Sequence, residues 1–273
     1  MSRASTYTRM TGGCTTHIAT AMLSTVNPTI TPASYILDNA CGPGTVTTEI
    51  KSRHPAARIM ATDLSPAMIA EVQESVQRNG WSDVETAVLD VRALTTLADD
   101  TFTHIFANLA LPVPGDAESG VKIAREMFRV LEIGGVAMAS TWADRVWLTA
   151  FTRTSLRIRP DQVPQNAMAM APEYLAGSWL LQQFEKGGFG NNVELRPVVT
   201  YSSASSLEEL VGNMMLAQGM FFAGFGEEEL ERATLLLEEE LSALRTFEKF
   251  DGGVRIGMKA WVATGWKKGD EGR

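Results

Sequence analysis

The sequence predicts an α/β fold: a doubly wound, mostly parallel sheet with an antiparallel last strand and helical lids from the N-terminus and from insertions. Three observations predict it. A short apolar run, residues 36–39, ends in a small-residue turn and passes directly into a helix pattern. Strand-like runs then alternate with helical ones, which implies a parallel sheet with right-handed crossovers. A final strand-like run at 258–266 follows the preceding strand after roughly 50 residues, far beyond a hairpin loop, which marks an insertion.

The elements follow in order. Strand one at 36–39 leads to a helix over 45–53, and strand two covers 58–62. Ser65 is a capping residue before Pro66, and the helix they open ends near Asn79-Gly80. Strands three and four are read at 84–89 and 104–108. A helix over 118–131 places Val121, Ala124, Phe128 and Leu131 on one buried face, ahead of strand five at 135–141. Beyond it come a helix at 170–187 and a strand at 193–201. Ser206-Leu207-Glu208-Glu209 forms a capping box opening a helix to Phe222. A further helix from Gly226 carries Leu230, Thr234, Leu237, Leu241 and Leu244 as a stripe. The chain divides into a cap (1–30), a core (31–142), lid insertions (143–192 and 202–254), a closing strand (255–266) and a flexible tail (267–273).

The turn after strand one carries the chemistry. Asp38, Ala40, Cys41, Gly42 and Gly44 form an Asp-x-x-x-Gly-x-Gly pattern, whose glycines let backbone approach a nucleotide-like ligand closely. A carboxylate ahead of the glycines repels a diphosphate and suits a cation or an amino group. Asp63, nineteen residues after Gly44 at the end of strand two, is placed to hydrogen-bond both hydroxyls of a ribose. Turn and acid together read as a nucleoside site.

Four stretches, in order, resemble the class I S-adenosylmethionine-dependent methyltransferases, whose fold is Rossmann-like. Residues 37–44 (LDNACGPG) resemble the first motif of that family, with Ala40 where a glycine is usual; its methyl group tightens the fit around the methionyl moiety. Residues 63–68 (DLSPAM) look like the ribose motif, 88–91 (VLDV) the acidic turn beside adenine, and 129–135 (RVLEIGG) the turn before strand five. The phrase LDNACG, the run 101–106 and Ser140-Thr141-Trp142 are similar to fungal small-molecule members of secondary metabolism, such as the gliotoxin thiol-methylating group. The resemblance implies S-adenosylmethionine as cofactor. It implies contacts from Asp38 to the methionyl amino group, from Asp63 to the ribose, from Leu64, Asp90 and Val91 around the adenine, and from Met68 of the ribose motif to the cofactor. Asn108 and Leu109 would line the site below the sulfonium. Tyr7, Met10 and Thr11 would fold over the cofactor.

Bulk properties narrow the substrate. With 24 Lys and Arg against 32 Asp and Glu, the net charge of −8 repels phosphate backbones, so no nucleic-acid substrate is expected. The basic cluster at 153–159 reads as a solvated helix face. No apolar run reaches 18 residues, so no membrane span is expected, and the polar start gives no argument for secretion. Two cysteines in 273 residues suit a reducing, cytoplasmic setting. The helix from 207 carries apolar residues on two faces, which a bulky apolar substrate or a second copy in a homodimer would cover. Trp142, Trp147, Met214, Met215 and Phe222 are the expected substrate contacts. His17 is the best-placed general base, and no metal-ligand cluster is evident. The expected function is methyl transfer to a small apolar thiol, hydroxyl or amine. The alternatives are a methyltransferase-like regulatory module acting through a protein partner, and an isomerase or cyclase that retains the cofactor.

Overall fold

The computed structural model describes residues 9–269. Helix α1 (Cys14–Leu23) precedes β1 (Tyr35–Asn39), α2 (Thr45–Arg53), β2 (Arg58–Asp63), α3 (Pro66–Asn79) and β3 (Val84–Val88). Then follow β4 (Phe102–Ala107), α4 (Ser119–Val130), β5 (Leu131–Asp144), α5 (Trp147–Ile158), α6 (Gly177–Phe184) and β6 (Val193–Ala204). The chain continues through α7 (Leu207–Met215), α8 (Gln218–Phe221), α9 (Glu227–Ser242), β7 (Phe247–Phe250) and β8 (Gly253–Trp266). The described chain divides into two compact units, one of residues 18–143, 172–198 and 260–269, the other of residues 9–17, 144–171 and 199–259.

The first is the sheet unit. Strands lie in the order β3-β2-β1-β4-β5-β8-β6, and β3, β2, β1, β4 and β5 pair in parallel. The start of β5 meets the end of β8: Gly134 N–H donates to Lys267 O (2.7 Å) and Lys267 N–H to Gly135 O (3.2 Å). Trp266 N–H likewise donates to Asn192 O, just ahead of β6. The sheet is therefore mostly parallel with antiparallel C-terminal strands. Neighbouring residues of each central strand feed different cores, as a pleat with both faces covered requires. Leu37, Ile105 and Ala137 enter one cluster with Met127, Phe184 and Phe189. Ile36, Phe106, Val136 and Met138 enter another with Ile18, Met22 and Ile50.

Several elements differ from the sequence expectation for identifiable reasons. On α4 the fully buried apolar residues are Ile123, Ala124, Met127 and Val130, with Leu131 buried just beyond its end, so of the expected face Ala124 and Leu131 are buried while Val121 and Phe128 are only half-buried. Phe128 sits at its rim, edge-on to Phe189 at 5.1 Å. The expected helix at 170–187 reduces to a 3₁₀ turn at Pro172–Leu175, α6 and a wide turn at Glu185–Phe189. This stretch packs with the sheet unit: Trp261 Nε1 donates to Leu175 O at 3.0 Å, and a side chain at Gly187 would strike Ala124. Ser65 makes no cap with its side chain. Its own N–H is instead held by Asp63 Oδ1 at 2.8 Å.

The second unit has its own core around Phe151, Leu210, Met214, Phe221, Phe222, Leu237 and Leu241. The capping residue Ser206 accepts from Glu209 N–H at 3.1 Å, but α7 stops at Met215, and the expected helix to Phe222 is completed by the separate turn α8. The break turns Met214, Phe221 and Phe222 into one core, which resolves the two apolar faces read from sequence. The strand β7, missed in the sequence, forms an antiparallel ladder with β8 from Phe247–Ile256 to Phe250–Gly253. The basic cluster and the glutamates of α9 answer one another: Arg159 reaches Glu229 at 2.6 Å, and Arg157 reaches Glu239 at 2.8 Å. Such exposed pairs orient α5 and α9 more than they stabilise them.

The described N-terminal residues are laced to β6. Ser203 N–H donates to Gly12 O (3.0 Å), and Thr200 Oγ1 donates to Cys14 O (2.6 Å). Gly12 has φ 55°, and a Cβ there would lie 2.4 Å from Ser202 Oγ and 2.8 Å from Ser203 N. Gly13 has φ 82° but nothing within 4 Å of a Cβ. Gly13→Ala therefore bears backbone strain of about 1–2 kcal/mol, while Gly12→Ala adds a collision with backbone worth about 1–3 kcal/mol more. Urea unfolding of both variants checks this, and equal losses would show that the close approach to β6 is unimportant.

Candidate functional site

Three left-handed residues within five build the turn after β1: Ala40 (φ 56°), Gly42 (φ 54°) and Gly44 (φ 87°). A Cβ at Gly42 would face open space, whereas one at Gly44 would press on Val72 at 3.1 Å. Gly42 thus leaves backbone approachable, and Gly44 lets α2 sit close to α3. Cys41 N–H donates to Thr62 O at 2.8 Å, tying the turn to β2. The Cys41 thiol is buried, and burial together with the charges of Asp38 and Asp63 holds its pKa well above the usual thiol value. It is an inert thiol, not a nucleophile.

Asp63 ends β2 half-buried, and each of its oxygens takes one backbone donor: Oδ2 from Gly42 N–H (2.9 Å) and Oδ1 from Ser65 N–H (2.8 Å). Each oxygen keeps a second acceptor direction. Two hydroxyls on adjacent ring carbons suit such a pair of acceptors. Beside it Leu64 is 58% exposed, an unusually open apolar side chain next to an acid. Met68 is half-buried in the first turn of α3.

Asp38 is 1% exposed. Its Oδ2 accepts from Thr47 N–H (2.9 Å) and Thr47 Oγ1 (2.7 Å), so it caps α2 from the neighbouring strand. Its Oδ1 is buried with no hydrogen-bond partner. Burial pushes its pKa up to about 6, against the lowering effect of Thr47 and with a further push from Asp63.

The other sheet-unit residues sit at the carboxyl ends of their strands. Asp90 binds Arg92 through both oxygens (2.7 Å from Nη2 to Oδ2, 3.0 Å from Nε to Oδ1), which holds its pKa below the usual carboxylate range. Arg92 also reaches Asp116 at 3.2 Å. Val91 is buried. Leu109 has φ 58°, and its N–H donates to Ser140 Oγ, whose hydroxyl donates to Asn108 Oδ1, both at 2.8 Å. Trp142 packs on the cluster around Ile36 and Phe106.

The second unit gathers a different set. Met10, Trp147, Met214, Met215 and Phe222 all belong to one apolar cluster, without Trp142. Met214 and Phe222 are buried. Thr11 lies just ahead of Gly12 and is half-buried. His17 is exposed, and its Nδ1 accepts from Tyr201 N–H at 3.4 Å. Tyr7 lies outside the described residues. Thr47 and Arg92, which position Asp38 and Asp90, escaped the sequence reading, and Ser140 enters it only as part of a family-like phrase and not as the residue that positions Asn108. The hydroxyl-rich start of α2 (TVTT) was the available signal for Thr47. Among the described residues no group of three His, Cys, Asp or Glu side chains is placed to hold a metal ion.

Residues 36–135 match the family model described as a methyltransferase domain. The chain is 28% identical over 225 residues to methyltransferase ucsB of an Acremonium species, covering 77% of this chain and 75% of that protein. It is 26% identical to methyltransferase tpcH of Aspergillus fumigatus over 56% of each chain, so the match spans about half the length of that relative. Among solved structures, the YcgJ protein of Bacillus subtilis superposes with a TM-score of 0.55 at 14% identity, covering 93% of this chain and 99% of that one, which shows the shared fold.

The fold and the match over residues 36–135 define an α/β domain of the methyltransferase type. Residues 36–135 match a methyltransferase domain, for which S-adenosylmethionine is the cofactor. The residues present fit that group: an approachable turn at Gly42, two spare acceptor directions on Asp63, an open Leu64 and the unpaired Asp38 Oδ1.

Proposed function

We propose that the whole protein transfers a methyl group from S-adenosylmethionine to a small, largely apolar metabolite carrying a thiol, hydroxyl or amine, in cytoplasmic secondary metabolism. The observation that carries this reading is the Asp63 carboxylate, fixed by Gly42 N–H and Ser65 N–H with acceptor directions left for a ribose. The fungal relatives, both methyltransferases by name, support it.

When bound, the cofactor supplies an electrophilic methyl on a sulfonium. The chain's own task is binding and alignment. Asp63 would hold the ribose, Leu64 and Val91 would give apolar contact to the adenine, and Asp90, kept ionised by Arg92, would accept from its amine. Asp38 offers a negative charge to the methionyl ammonium, and Asn108 and Leu109 shape the floor through Ser140. Holding nucleophile, methyl carbon and sulfur in line at about 3–3.5 Å is worth up to about 7–11 kcal/mol, and no obligatory base is needed for a thiol near its pKa. A hydroxyl acceptor needs a base, the role assigned to His17. The apolar cluster of Met10, Trp147, Met214, Met215 and Phe222 supplies the apolar character expected of the acceptor's surroundings.

The test is a screen of thiols, phenols and amines for production of S-adenosylhomocysteine. Turnover that depends on one acceptor class supports the reading. Tight cofactor binding with no methyl consumed on any class would favour a regulatory or non-methylating role.

A further inference from the structure

In the second unit, Arg153, Arg157, Arg159 and Arg255 each reach a glutamate. Arg145 does not, although it is the one that needs a counter-charge most. It is only 9% exposed and stands immediately after the carboxyl end of β5. Its Nη2 donates to the carbonyl of Met168 at 2.7 Å, while its Nε is enclosed with no partner. Among the described residues no carboxylate pairs with it. A neutral carbonyl satisfies one of five N–H donors and none of the charge. Burying a guanidinium without a counter-charge is costly, and a purely structural tie to one carbonyl does not offset that cost.

The surroundings are apolar. Val146, Trp147 and Met168 all pack on the cluster around Phe151, Phe221 and Phe222. A cation that lacks its anion, set in an apolar and aromatic wall, matches a ligand with the opposite pattern.

We infer that Arg145 is a substrate-anchoring residue, and that the acceptor is an acid: an apolar, ring-bearing body carrying a carboxylate that pairs with the Arg145 guanidinium. A carboxylate is favoured over a single oxyanion because two parallel N–H···O bonds fit the guanidinium fork. The carboxylate is the anchor and not the methylated group, since an oxygen held by a guanidinium is a poor nucleophile. The proposal rests on the methyl-transfer reading only in calling this ligand the acceptor.

Calorimetric titration of the full chain with 2-naphthoate and with its uncharged isostere 2-naphthamide tests it. The wild-type protein is expected to bind the acid at least about tenfold more tightly than the amide. Arg145→Met is expected to erase that preference, and Arg145→Lys, which keeps the charge and loses the fork, to reduce it. Equal binding of acid and amide by the wild type would overturn the proposal, as would an unchanged preference in Arg145→Met. Should Arg145→Met not fold, Arg145→Lys decides by the same criterion. Parallel titration with S-adenosylhomocysteine separates the two readings. Loss of that binding with the acid preference intact removes the methyl-transfer reading and leaves the anion site standing. The reverse result removes Arg145 alone.

Discussion

Asp63→Ala is expected to weaken S-adenosylhomocysteine binding by about 1–3 kcal/mol, roughly 5- to 150-fold. Two losses combine. The ribose hydroxyls are left without acceptors, and Gly42 N–H and Ser65 N–H lose the carboxylate that fixes the turn. A 2′-deoxy analogue of the ligand separates them. If Asp63 acts on the ribose directly, the wild type discriminates against the analogue and Asp63→Ala does not. If it acts only by ordering the turn, both ligands weaken equally in the variant. Unchanged affinity for S-adenosylhomocysteine would remove the ribose assignment.

Asp38→Asn is expected to change stability with a pH dependence of definite sign. The Asp38 carboxyl, buried and half-satisfied, has its pKa pushed up to about 6 from an ordinary value near 3.8. A carboxyl whose pKa is raised by folding binds its proton more tightly in the folded state. It therefore favours folding most below about pH 4, and that contribution is lost as pH rises through about 6. At pH 8 the folded protein holds this group ionised at a cost on the order of 3 kcal/mol. Asparagine keeps an acceptor for Thr47 and carries no charge. The variant is thus expected to gain about 1–3 kcal/mol over the wild type at pH 8, less any cost of an unpaired amide, with the gain shrinking towards pH 4. It is also expected to bind S-adenosylhomocysteine more weakly. Denaturant unfolding at both pH values checks the first part, and a difference independent of pH would contradict it. A site that gives up stability for ligand binding is the physical content of this pair of results.

The sheet and the nucleoside turn were legible in the sequence because their signals are local. The run 36–44 contains its own strand, turn and helix start, and the Asn79-Gly80 stop is realised with Gly80 at φ 66°. Asp63 could be found by its distance from the turn. What escaped depends on partners far along the chain. Ser65 has the right identity for a cap, but its side chain makes no cap bond, and its N–H serves the Asp63 carboxylate. The glutamates of α9 read as solvated because their arginines lie 70 to 83 residues away. The helix at 207 has apolar residues enough to continue, and it breaks at Leu216 because Met214, Phe221 and Phe222 enter a single core. Nothing in the run Ala143-Asp144-Arg145-Val146 distinguishes Arg145 from an ordinary surface arginine. Its burial is set by Met168 and the apolar cluster.

The site proposed at the turn 38–44 and Asp63 takes S-adenosylmethionine, with its amino group and ribose, and not a dinucleotide. Calorimetric titration of the purified protein with S-adenosylhomocysteine, with NAD in parallel, tests it most directly. Micromolar binding of S-adenosylhomocysteine and none of NAD is the predicted result. Binding of NAD, or of neither ligand, would contradict it.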